Sequence, residues 1–184
     1  MSVPGSWRGM VGEYNKLPED VKQYFEYFPQ LTEEFPWDVV IAYLFSRVEL
    51  AQNMTIYCGV VKCHKVDSDI AKKAVNNQHM TRQGFKDLYK SIFGHAIPKT
   101  IAGNIDHAEN IRDKILHGKS VTEADKRKAV YDLLIYAKNF NDKLQSIAGF
   151  RPFGSLQGFK GRGQSLDKST SRWVVKGMGF SEFQ

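Results

Sequence analysis

The sequence predicts an all-α protein: an up-and-down helical bundle followed by a basic C-terminal extension rich in glycine and aromatics. Three observations carry this. Apolar residues recur at spacings of three and four over long stretches between residues 36 and 148. The joins between these stretches are short and polar. No segment alternates at period two as a half-buried strand does. The chain accordingly divides into an irregular N-terminal arm over 1–16, the bundle over 17–148, and the basic tail over 149–184.

In chain order, residues 1–16 carry Pro4 and three glycines and are expected to be irregular. Pro18-Glu-Asp opens a helix, with proline in its first turn and acids at the positive dipole end, and the aromatic run Tyr24, Phe25, Tyr27 and Phe28 carries it to Pro29. A longer helix begins at Pro36-Trp37-Asp38. Val40, Leu44, Val48, Ala51, Met54, Cys58 and Val61 form its apolar stripe. Two short helices follow, one over Asp69–Gln78 and one from Thr81 that ends near Gly94. Pro98 and Lys99 open a helix whose stripe is Ile101, Ile105, Ala108, Ile111 and Ile115, with Gly118 placed to end it in a left-handed cap. Thr122-Glu-Ala-Asp125 resembles a capping box with Asp in place of Glu, and Val130, Leu133, Leu134, Ala137, Phe140, Leu144 and Ile147 make the next helix an antiparallel partner. Residues 167–176 suit a short closing helix.

Composition sets the bounds. The chain has 184 residues, 42% hydrophobic and 12% aromatic, which is enough for one sizeable core. Cys58 and Cys63 fall roughly 140° apart on one helix at about 100° per residue, a poor placement for a disulfide or a metal pair. No basic segment followed by an apolar run opens the chain, and no apolar run approaches the roughly 20 residues a bilayer span needs. The expectation is a cytoplasmic protein without a membrane partner. Net charge is +6, unevenly spread. Residues 13–38 hold seven acids against two lysines, whereas 149–184 hold six basic residues against two acids. That asymmetry suits a polyanion at one end, or a basic tail docked on an acidic surface of the same chain. The tail's seven glycines and six aromatics leave two outcomes. It is a surface where rings stack on the bases of a single strand, or its aromatics pin it to the bundle or to a second subunit. The number of large rings favours pinning.

Function is most legible in Asn104–Gly118. At about 100° per residue, Arg112 falls inside the apolar sector between Ile101 and Ile105, so its guanidinium must reach solvent or find an acceptor. His117 lies roughly 140° further round, on the arc with His107, Asn110 and Lys114. Surface pairing of Glu109 with Arg112, or of Asp113 with His117, explains these residues without catalysis. Yet Arg112, then Asp113, then His117 before a glycine, late in a helix of an all-helical chain, resembles the nuclease members of the HEPN family, which carry Arg, four to six intervening residues and His. The resemblance covers roughly residues 36–148.

The resemblance implies a metal-independent endoribonuclease acting as a homodimer, with two motifs facing one another across a cleft. It also implies a toxin or defence setting, with an antitoxin or a nucleotidyltransferase as a partner. The catalytic residues would be Arg112 and His117, with Asp113 orienting either. RNA would be held by Asn110, Lys114 and Lys119, and in the tail by Arg151, Lys160 and Arg162. No cofactor and no metal are expected, since the chain has no HExxH, no Walker lysine loop, no Gly-x-Ser-x-Gly and no zinc-type cysteine spacing. His64, His79, His95 and His107 are scattered and read as surface or capping residues. The other classes are a non-catalytic helical module that binds RNA or a partner, and a metal-dependent or nucleotide-modifying enzyme.

Overall fold

The computed structural model describes residues 3–155 and 163–180. Among these residues the chain is helical without strands, in nine helices: α1 (Trp7–Asn15), α2 (Glu19–Tyr24), α3 (Phe28–Glu34), α4 (Trp37–His64), α5 (Ser68–Asn77), α6 (Arg82–Phe93), α7 (Lys99–Leu116), α8 (Glu123–Ala148) and α9 (Lys168–Gly177). The chain divides into two compact units. One holds residues 3–49, Pro98–Lys143 and Phe153–Ser155; the other holds Leu50–Ile97, Leu144–Pro152 and residues 163–180.

The first unit begins with a correction. The expected irregular arm contains α1, because Ser6 accepts a hydrogen bond from the Gly9 N–H as N-cap and the helix buries Met10 and Tyr14. The Tyr14 ring stacks on Phe28 at 5.1 Å, fixing α1 against α3. The aromatic helix expected from Pro18 is two helices, since Phe25, at φ −107° and ψ 40°, closes α2 and the chain restarts with Pro29 in the first turn of α3. Arg47 of α4 donates to the Tyr24 carbonyl through Nε and Nη2, its guanidinium lies 4.2 Å from the Tyr24 ring centroid, and the Tyr24 hydroxyl donates back to the Arg47 carbonyl. This reciprocal clasp joins α2 to α4. Most of the expected stripes of α7 and α8 is buried, Ile101, Ile105, Ala108 and Ile111 with Val130, Leu133, Leu134 and Phe140, while Ile115 and Ile147 at the helix ends are only half-buried. His107 Nδ1 of α7 stands 2.7 Å from Asp132 Oδ2 of α8. The two residues lie symmetrically about the turn between the helices, as antiparallel neighbours must.

Phe153 belongs to this unit and is fully buried, its ring among Tyr24, Phe25, Tyr136 and Phe140. Asn141 brackets its backbone, donating to the Phe153 carbonyl at 2.7 Å and accepting from its N–H at 2.8 Å. A buried loop residue thus keeps both main-chain polar groups paired.

In the second unit the remainder of α4 meets α6 at Gly59, where an added Cβ would lie 2.7 Å from Ile92 Cγ2 and 2.8 Å from Phe93 Cζ. Thr81 caps α6 and Gly94, at φ 77°, ends it, as the sequence predicts. The predicted closing helix exists as α9 and packs on α5. Asp67 and Asp167 cap α5 and α9 through paired backbone N–H groups. The Ser171 hydroxyl of α9 accepts from the Asp67 N–H at 2.9 Å. Phe150 and Phe180 are buried here, so three of the tail's aromatics pin it, as expected; Phe159 and Phe183 lie outside the described residues.

Candidate functional site

The end of α7 is set by its backbone. His117 is the C-cap, Gly118 takes the left-handed conformation at φ 66°, the Gly118 N–H donates to the Ile115 carbonyl, and the Lys119 N–H donates to the Lys114 carbonyl at 2.8 Å. The two bonds form a Schellman motif, which fixes where the His117 side chain leaves the helix. His117 is exposed, as are Asn110, Lys114 and Lys119. The following helix is closed by Thr122, whose Oγ1 accepts from the Asp125 N–H and donates to Asp125 Oδ2. The turn between α7 and α8 is therefore capped at both ends.

Arg112 finds its acceptors within the first unit. Its Nε and Nη2 donate to Asp113 Oδ1 at 3.3 and 3.2 Å, its Nη1 donates to Glu49 Oε1 of α4 at 3.3 Å, and its guanidinium carbon stands 4.5 Å from the Phe45 ring centroid. The side chain is 26% exposed, half-sunk over an aromatic face with its edge towards solvent. A guanidinium has five N–H donors. Three are engaged here, so among the described residues two remain for a further acceptor. Asp113 thus accepts two of the hydrogen bonds that Arg112 makes.

Five residues apart on one helix, Arg112 and His117 leave it roughly 140° from one another and about 7.5 Å apart along the axis. One copy of α7 does not turn both side chains towards the same point. The RNA-binding candidates fall into two sets. Asn110, Lys114 and Lys119 lie with His117 in the first unit, while Arg151 is exposed in the second; Lys160 and Arg162 lie outside the described residues.

One pair escaped the sequence reading. Asp132 is 7% exposed; Lys128 Nζ donates to its Oδ2 at 2.7 Å, and His107 Nδ1 stands 2.7 Å from the same oxygen without hydrogen-bond alignment. At about 100° per residue Asp132 falls roughly 120° from the centre of the α8 stripe, so periodicity gave no sign that this carboxylate is buried. The pair ties α7 to α8.

Among the described residues no cluster of His, Cys, Asp and Glu has the geometry to hold a metal ion, and no helix is long and apolar enough to cross a membrane. The cysteines are free, Cys58 buried and Cys63 exposed. No protein-family model, curated protein or solved structure matches the chain.

Proposed function

We propose that this protein is a HEPN-like, metal-independent endoribonuclease that cleaves single-stranded RNA, works as a homodimer, and acts as a toxin or defence effector with an antitoxin or nucleotidyltransferase partner. The observation that carries the reading is the end of α7: an exposed imidazole on a closed helix terminus with Lys114 and Lys119 close to it in sequence, and an Arg whose guanidinium retains two donors. RNA supplies its own nucleophile. The 2′-oxygen bonds to the adjacent phosphorus as the bond to the 5′-oxygen breaks; a base takes the 2′-hydroxyl proton and an acid protonates the leaving oxygen. Two copies of His117 supply base and acid, and Arg112 offsets the charge that grows on the phosphate.

In EDTA, wild-type protein is expected to leave a 2′,3′-cyclic phosphate and a 5′-hydroxyl. His117→Ala and Arg112→Ala should each lose cleavage by about 10²–10⁴-fold. Arg112→Lys should recover only part, because an ammonium lacks the planar fork. His107→Ala should lower stability while keeping cleavage, since that side chain ties two helices together. RNA methylated at the 2′-oxygen of the cut site should resist. Full activity in His117→Ala, or 5′-phosphate products, would move the chemistry elsewhere.

A second reading has its own support. Arg112 is held by Glu49, Asp113 and the Phe45 ring, which is what a structural arginine does, and both carboxylates compete with a phosphate for it. On that reading the chain is a helical module that binds RNA or a protein without cleaving it. Arg112→Ala would then lower the melting temperature, and no RNA would be cut by any variant.

A further inference from the structure

The tail was expected either to hold RNA or to pin itself down, and α9 separates the two roles by face. Ser171 and Val175 point inward and are buried. Ser169, Arg172, Trp173 and Lys176 fall within an arc of roughly 100° on the other side, and together they line a shallow surface depression. Trp173 is 71% exposed, in contrast to the buried Phe150, Phe153 and Phe180 of the same tail. A single exposed ring is ordinary on a protein surface; what sets Trp173 apart is that two cationic side chains flank it on the same face. The Lys176 ammonium stands 5.9 Å from the indole centroid, and Arg172 is the adjoining residue on the same exposed face. Among the described residues no carboxylate lines the depression.

We infer that this face of α9 is a docking surface for single-stranded nucleic acid, with a base stacked on Trp173 and the flanking phosphates met by Arg172 and Lys176. The chemistry of the patch selects that partner. A flat π-face stacks on any base, cations one helical turn apart meet a backbone that is anionic at every residue, and a duplex hides its bases from an indole on a convex helix. The inference rests on the proposed RNA substrate and assigns it a binding surface separate from the residues that would cut it.

The test is fluorescence anisotropy with a labelled 12-nucleotide oligouridylate and the full-length chain carrying His117→Ala, so that binding is read without cleavage. Trp173→Ala should weaken binding by about 5- to 150-fold, the range that loss of one base–aromatic stack produces, and Trp173→Phe should restore much of it. Arg172→Gln with Lys176→Gln should make the plot of log K against log salt shallower by about 1.4, at roughly 0.7 for each single-strand phosphate that is no longer neutralised. Because the three side chains are exposed, thermal unfolding should stay that of the parent. Equal affinity in the parent and Trp173→Ala overturns the inference. So does tighter binding to a duplex of the same length, or binding to anionic lipid vesicles with none to the oligonucleotide. Binding of this kind by a protein that cuts no RNA would refute the nuclease reading and leave the surface standing; cleavage with no effect of Trp173 would do the reverse.

Discussion

At the scale of single residues, the two thiols separate by environment. Burial pushes the Cys58 thiol up to about 12, and burial also raises that of Cys63, which nonetheless lies on an exposed face of α4. The thiolate is the reactive form, so at pH 8 Cys58 is both covered and almost wholly protonated. Iodoacetamide on the native protein should therefore label Cys63 alone, and Cys58 should react only in denaturant; mass spectrometry of the peptides checks this, and native labelling of Cys58 would place it outside the core. The spacing of the two residues already argued against a disulfide. What it did not reveal was which thiol faced inward, although Cys58 lies on the Val40-to-Val61 stripe and Cys63 off it. Arg112 behaves similarly. Its position in an apolar sector called for an acceptor, and Asp113 was legible beside it, but Glu49 and Phe45 come from a helix more than 60 residues earlier in the chain. Local periodicity carries no information about that pairing.

At the scale of elements, the helix ends were the most legible feature, because capping is chemistry within a few residues. Gly94, Gly118 and Gly149 all take positive φ, and Thr81 and Thr122 cap the helices they precede. α1 was missed because its two glycines, Gly9 and Gly12, with Pro4 and Gly5 just ahead of it, argue against helix, while packing of Met10 and Tyr14 outweighs propensities worth about 1 kcal/mol each. Glycines inside helices divide into two kinds that sequence alone does not tell apart. Gly103 lies in α7 with open space where a Cβ would go, whereas Gly59 is met by Ile92 and Phe93. Ala at 103 should therefore stabilise by up to about 1 kcal/mol. At Gly59 the same gain is opposed by overpacking, which costs roughly 1–3 kcal/mol, so Gly59→Ala should be neutral to destabilising by about 2 kcal/mol. Urea denaturation of both variants decides it. A gain at 59 equal to that at 103 would mean that α4 and α6 separate without cost.

At the scale of the whole molecule, the all-helical class followed from long apolar stripes joined by short turns, while the division into two units and the anchoring of Phe153 did not. Phe153 reaches its site through Asn141, a polar residue in α8 whose two bonds to one backbone give no pattern in the sequence. The proposed chemistry makes its own demand at this scale. Arg112 and His117 leave α7 in directions roughly 140° apart, and a single His117 cannot be base and acid to one phosphate in the same step. Two copies about a two-fold axis supply two imidazoles and two guanidiniums, each residue of one protomer opposed by its partner's. Light scattering should give about twice the 21.0 kDa of the chain, and specific activity should fall on dilution below the dimer dissociation constant. Mixing sharpens the test. A heterodimer of one wild-type and one His117→Ala protomer holds a single imidazole, so remixing the two through denaturant should give less cleavage than the wild-type share of the chains accounts for. A monomer that cuts RNA with concentration-independent specific activity would require Arg112 and His117 to act from one chain, which the geometry of α7 opposes, and would move the reaction to other side chains.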